Sequence, residues 1–284
     1  MVCERRKITI PVRPWFSDHH FDGRIVLAAV DAMQLLAVTV QKVYPHLEVS
    51  RMHNGRFARL LEIPPTATVI DAVVELEDGE PSEIRARLMT RTQGKVMTRL
   101  VTHCELTFVP EAIPCVETEE WATGLCLAFA MEVSAAQVYR ELVPFGPAYR
   151  TLQDRLVLYA NAAWGTLLAP ELEHSPPGPL GSPFPLDGAM HTACVHGQRL
   201  ANFVPFPVGF AARRIVKPTR AAEWYRTQVL LQSHTLDELI YDVCIFDQEE
   251  QVRETVKGLR MRDVSHGRIR PPAWIKKIQE EGKR

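Results

Sequence analysis

No two of the six cysteines (Cys3, Cys104, Cys115, Cys126, Cys194 and Cys244) stand in a C-x-x-C pair. That spacing argues against a zinc knuckle. In a chain of 284 residues they read as buried or incidental thiols of a reducing compartment, not as a disulfide frame. Long apolar runs are missing too, and no window approaches the length that a membrane-spanning helix needs. The opening residues Met1-Val2-Cys3-Glu4-Arg5-Arg6-Lys7 are polar and charged, with no apolar stretch behind them to act as a signal peptide. Nor is there an excess of charge of one sign. A formal net charge of −1 gives no global field that draws the protein to nucleic acid or an anionic membrane. The expectation is a soluble cytoplasmic protein. Its 46% of hydrophobic residues suffice for one large domain or two fused smaller ones.

Strand-like texture dominates what is present. Residues 81–91 alternate charged and apolar side chains, and 96–108 are rich in β-branched residues, so Gln93-Gly94-Lys95 reads as their hairpin turn. Asp78-Gly79 marks a turn before them. Further strands are expected at 156–159, 163–168, 207–216, 224–233, 238–247 and 251–262. Two segments read as long, mostly apolar helices. One runs from Val26 to about Tyr44 and ends at Pro45; the other runs from Asp187 to about Phe203 and ends near Pro205. Apolar on nearly all sides, such helices suit a sheet wrapped around them. The chain therefore reads as two copies of one plan joined near 110–132, although no sequence repeat is visible. Glu173 to Pro185, dense in Pro, Gly and Ser, is expected to be irregular and to deliver the chain to Asp187. The basic tail after Gly267 reads as a peripheral, solvated end.

Three segments carry chemistry or punctuation. In Asp18-His19-His20-Phe21-Asp22-Gly23-Arg24 the spacing H-x-x-x-G ahead of an apolar helix puts an imidazole beside a helix N-terminus, where backbone N–H groups favour negative charge. A neutral His19 there suits removal of a proton next to a carbonyl; the same residues also suit an ordinary capping loop. Asp187 is either an N-cap or an acid, and His191 lies one turn along on the same face. His19, His20, Asp187 and His191 have metal-ligand chemistry, but without the H-x-E or C-x-x-C spacing that accompanies such sites. Leu142-Val143-Pro144-Phe145-Gly146-Pro147-Ala148-Tyr149 is a helix-breaking turn flanked by aromatics, mute as chemistry.

Taken together, these segments resemble the dehydratase domain of polyketide synthases, over about residues 7–262. His19 and Gly23 match the His and Gly of that family's H-x-x-x-G-x-x-x-x-P. Phe145-Gly146-Pro147-Ala148-Tyr149 keeps the Gly-Pro core of its G-Y-x-Y-G-P-x-F. Pro183, Asp187 and His191 match H-P-x-x-x-D-x-x-x-Q/H, and Val204-Pro205-Phe206 answers a later L-P-F. Four motifs in order are far more specific than any one. The departures are Ala28 for the Pro of the first motif, Ser182 for the leading His of the third, and Leu142, Val143 and Phe145 in the Gly-Pro motif. They imply a divergent, free-standing member whose substrate is open.

The resemblance implies an α+β double hotdog, two long central helices each wrapped by a curved antiparallel sheet. It would comprise an N-terminal hotdog at 1–115, a linker at 116–132, a C-terminal hotdog at 133–265 and a basic tail at 266–284. It implies loss of water from a 3-hydroxyacyl thioester held on an acyl carrier protein or coenzyme A, as in polyketide or fatty acid biosynthesis. His19 is the expected base and Asp187 the expected acid, with a backbone N–H near Gly23 steadying the enolate oxygen. An aspartate donates a proton near neutral pH only where it is desolvated, as Ala189, Met190, Ala193 and Cys194 would arrange. His191, Gly146, Pro147 and Tyr149 are supporting residues, His191 expected neutral. Met33, Phe57, Phe145 and Phe206 are expected to line an acyl tunnel, with Tyr149 and Phe210 as further candidates. No cofactor or metal is called for, and a homodimer follows from the resemblance alone. The same pair suits polyketide cyclisation or double-bond isomerisation, and the fold suits an idle acyl-carrier-binding scaffold. A thioesterase is disfavoured: apart from Asp31 the first helix offers no carboxylate or serine in a nucleophile setting.

Overall fold

The computed structural model describes residues 3–79, 83–93, 98–110, 128–172 and 178–276. Among these residues twelve strands form one antiparallel sheet. Its first part holds β1 (Cys3–Pro11), β4 (Arg51–Phe57), β5 (Val69–Asp78), β6 (Ile84–Gln93) and β7 (Thr98–Phe108). Its second part holds β8 (Phe129–Ser134), β9 (Leu152–Tyr159), β10 (Ala162–Leu168), β11 (Phe206–Ile215), β12 (Trp224–His234), β13 (Glu238–Phe246) and β14 (Val252–Arg262). The order is β1-β5-β6-β7-β4-β11-β14-β13-β12-β10-β9-β8. The two parts meet where β4 pairs with β11, in a register that runs from Gly209 opposite Arg56 to Arg214 opposite Arg51. A separate two-stranded ribbon, β2 (His20–Phe21) and β3 (Arg24–Ile25), turns through Asp22 (φ 51°) and Gly23 (φ 74°). Two successive positive φ values make the tight hairpin turn that Asp-Gly favours.

Helix α1 (Ala29–Val43) packs on β5, β6 and β7, and α2 (Phe184–Leu200) packs on β9, β10, β12 and β13. Every residue of α2 from Phe184 to Gln198 is buried. Helix α1 buries Val30, Met33, Leu36, Ala37 and Val40 and leaves its other face partly open. No helix among the described residues is long and apolar enough to cross a membrane.

Four sequence expectations change. Helix α1 starts at Ala29 rather than Val26, because Val26 bridges Glu62 and the Leu27 N–H donates to the Leu61 carbonyl, committing both to extended backbone. Helix α2 starts at Phe184, so Pro183 rather than Asp187 is its N-cap and the expected loop to Pro185 overlaps its first turn. Pro185 fits there because the first turn leaves N–H groups unpaired in any case. Residues 173–177 of that loop, and the turn at 94–95, lie outside the described residues. Of the expected linker, 116–127 also lies outside them, and from Phe129 the chain already forms β8. The tail is not a solvated end as far as Lys276: a short helical turn, Ala273–Lys276, packs on α2, and Ile275 is fully buried.

Candidate active site

The ribbon β2–β3 stands between His19 and α1, so the imidazole is fixed by the ribbon rather than by the helix end. The His19 backbone carbonyl accepts from the Val26 N–H at 3.0 Å, and His19 Nδ1 lies 3.0 Å from the Val26 carbonyl oxygen. A carbonyl only accepts, so Nδ1 carries the proton and Nε2 keeps its lone pair. The ring is flanked by Phe145 (centroids 4.4 Å apart) and Tyr149 (5.0 Å). Burial pulls the His19 pKa below the ordinary imidazole value, while the charge of Asp187 and the Val26 hydrogen bond act in the opposite direction.

Asp187 and His191 rise from the first turns of α2, 5% and 4% exposed. His191 Nε2 stands 2.9 Å from Asp187 Oδ2. The two atoms are not in line for a hydrogen bond, however, and neither has a partner of that kind among the described residues. The other face of His191 is held by Tyr139, whose hydroxyl lies 3.4 Å from Nδ1 and accepts from the Leu152 N–H at 2.8 Å. An unpartnered carboxyl oxygen in an apolar setting costs free energy until a polar group meets it.

His19, Asp187 and His191 line one cavity of about 620 Å³. Its apolar wall includes Phe57, Phe145, Met190 and Phe206, and its polar lining includes Arg59, Glu62, His103, Arg262, Asp263 and His266. Of the residues expected to line an acyl tunnel, Phe57, Phe145 and Phe206 line this cavity. Met33, Tyr149 and Phe210 do not. Met33 is fully buried with its sulfur 3.6 Å from an Arg213 nitrogen. The Phe210 ring covers Gly55, whose missing side chain makes room for it. Gly23 sits at the exposed tip of the ribbon, off the cavity wall, and its observed part is the turn.

Gly146, Pro147 and Tyr149 stand behind the cavity. The Gly146 N–H donates to the Asp18 carbonyl at 2.7 Å, and the Ala148 N–H donates to Asp18 Oδ2 at 2.8 Å. The turn is thereby stitched to the residue before His19. Tyr149, fully buried, donates its hydroxyl to Asp31 Oδ2 at 2.7 Å and packs its ring on Phe184, the first residue of α2. Among the described residues, no three His, Cys, Asp or Glu side chains cluster as a metal site requires.

The family model of the polyketide synthase dehydratase N-terminal domain matches residues 128–270, half of the chain. The chain belongs to the polyketide synthase dehydratase family. A search of curated proteins finds no match. Among solved structures, a trans-AT polyketide synthase dehydratase domain from Brevibacillus brevis is similar with a TM-score of 0.72 at 15% identity, over 92% of this chain and 93% of that one. The dehydratase domain of the CurF module of curacin polyketide synthase gives a TM-score of 0.74 at 14% identity, with coverages of 92% and 93%. The dehydratase domain of PpsC from Mycobacterium tuberculosis, solved in complex with C12:1-CoA, gives 0.70 at 18%, again over 92% and 93%. Such identities speak for the fold, which is the hotdog-type fold of these dehydratases. Asp18 and Tyr139 are site neighbours that the sequence did not single out, and Asp31 was noted there only as the first helix's one carboxylate in the thioesterase argument. Asp18 adjoins the His motif and Asp31 lies on α1, but their partners are more than a hundred positions away.

Proposed function

We propose that this protein removes water from a 3-hydroxyacyl thioester carried on an acyl carrier protein or coenzyme A, with His19 as base and Asp187 as acid. The reading rests above all on one observation: a histidine with its Nε2 lone pair free and a buried aspartate whose Oδ2 lacks a hydrogen-bond partner line the same cavity. His19 Nε2 takes the proton α to the thioester, and the electron pair moves onto the carbonyl oxygen. As the pair returns to form the C2–C3 double bond, the 3-hydroxyl leaves with a proton from Asp187. Water and an enoyl thioester result, and the proton on His19 resets Asp187. Within this reading the chain is two hotdog units, the second beginning with β8 at Phe129 and followed after residue 265 by the tail. Phe57, Phe145 and Phe206 would receive the acyl chain. His191 would orient the Asp187 carboxyl, and Gly23 acts through the ribbon turn.

Incubation with a 3-hydroxyacyl carrier substrate and detection of the enoyl product by mass tests the proposal. His19→Ala and Asp187→Asn should each lower turnover by about 10² to 10⁴. Wild-type turnover by His19→Ala would sink the assignment. The pH profile has a definite sign. Burial lowers the His19 pKa, so the base form persists to lower pH, and the acid limb of kcat/KM should fall below the ordinary imidazole value of about 6.5.

A further inference from the structure

The site contains a second carboxyl that the elimination does not use. Asp31 lies in the first turn of α1, and its Oδ2 accepts the Tyr149 hydroxyl at 2.7 Å. Tyr149 joins three elements around the site. Its ring is 5.0 Å from His19 and 5.3 Å from Phe184 at the start of α2, and its hydroxyl reaches α1. Asp31 stays off the cavity wall, whereas its neighbours Ala29 and Ala32 are on it. It is therefore placed to act through the tyrosine and not on substrate.

We propose that Asp31 and Tyr149 form a hydrogen-bonded brace that positions the His19 imidazole, Asp31 being a positioning residue rather than a catalytic one. This inference rests on the reading of His19 as the base. A tyrosine ring held only by packing can slide along the imidazole face; one tied by its hydroxyl to a helix cannot. The brace also keeps its form across neutral pH. Burial holds the Asp31 carboxyl up to about 7, helped by the nearby charge of Asp187 and opposed by the Tyr149 hydrogen bond. Burial and the charges of Asp31, Asp187 and Asp18 hold the Tyr149 hydroxyl well above its usual range, so it stays a donor. Protonated or ionised, Asp31 still offers an oxygen to that donor. The acceptor matters here, and the charge does not.

Asp31→Asn keeps an acceptor oxygen and removes the charge. Asp31→Ala and Tyr149→Phe each remove the hydrogen bond. The His19 imidazole resonances, shifted by the flanking rings, report its position by NMR without reference to any reaction. They should match wild type in Asp31→Asn and move in the other two variants, which should resemble each other. In the dehydration assay Asp31→Ala and Tyr149→Phe should each lose about tenfold in kcat with KM within about twofold. Their combination should cost no more than either alone. Unmoved His19 resonances in both single variants, or Asp31→Asn behaving as Asp31→Ala, would overturn the brace. Moved resonances with unchanged turnover would leave the brace standing and overturn His19 as the base, so the two failures are distinct.

Discussion

Gly146 has an extended backbone, φ −75° and ψ 175°, that any residue adopts, so torsion alone does not require a glycine there. The requirement is proximity. A Cβ on residue 146 would overlap the Asp18 carboxyl and stand 2.6 Å from the Asp18 Cβ. The carboxyl has little room to retreat, since its Oδ2 is engaged by the Ala148 N–H. The strain would pass through Asp18 to the adjacent His19. Gly146→Ala should therefore fold, with its melting temperature lowered by a few degrees, yet lose on the order of 10² in kcat, as misplacing a reacting group by about 1 Å does. Circular dichroism melting beside the dehydration assay checks this, and an alanine variant with full kcat would mean that the turn does not register His19. Spacing alone marked this Gly-Pro turn as mute. Its chemistry is to hold another residue's chemistry in place, and that is invisible until Asp18 and Gly146 are brought together.

At the scale of elements, α2 shows how packing overrides propensity. Glycine inside a helix costs about 1 kcal/mol relative to alanine, yet Gly188 follows Asp187 directly. The reason is the sheet beneath it: a Cβ there would overlap the Thr151 hydroxyl and lie 2.8 Å from Leu167 Cδ2. Gly188→Ala should destabilise by about 1–3 kcal/mol despite the better helix former. Urea unfolding should show a lower midpoint with an unchanged slope, and a raised midpoint would contradict the close approach. Legibility divided along the same line. Strands β11 to β14 fall within a few residues of the sequence reading, because β-branched and aromatic runs bounded by turns carry their own signal. Strand β5 was not read, because Asp71, Glu75 and Glu77 blur its pattern. Glu75 is nonetheless buried, paired with Arg5 at 2.6 Å and Arg87 at 2.5 Å across neighbouring strands. Local pattern cannot show a buried charge that is neutralised from another strand.

Across the whole molecule, the site and the seam between the two parts of the sheet are built by residues from both. His19, Asp187 and His191, which line one cavity, could be picked out as candidates because each lies in a short motif with its own spacing. Asp31 with Tyr149, and Gln34 with the Gly181 carbonyl at 2.5 Å, could not, because each pair joins α1 to segments beyond residue 140. The seam has its own buried charge pair. Arg213 on β11 and Glu254 on β14, 3% and 2% exposed, meet at 2.6 Å. From the first part, Met33 and Met52 place their sulfur atoms 3.6 and 4.0 Å from the guanidinium. Arg213 thus anchors the strand by which the second part pairs with the first. Removing one partner leaves an uncompensated charge in an apolar interior, so Glu254→Leu should cost about 3–5 kcal/mol. Removing both removes that penalty. Arg213→Met with Glu254→Leu should recover most of the loss, because two thioethers already surround the vacated space and a third side chain of that kind packs among them. Chemical denaturation of the single and double variants measures the difference. A double variant no more stable than Glu254→Leu would show that the ion pair, and not apolar packing, holds the seam together.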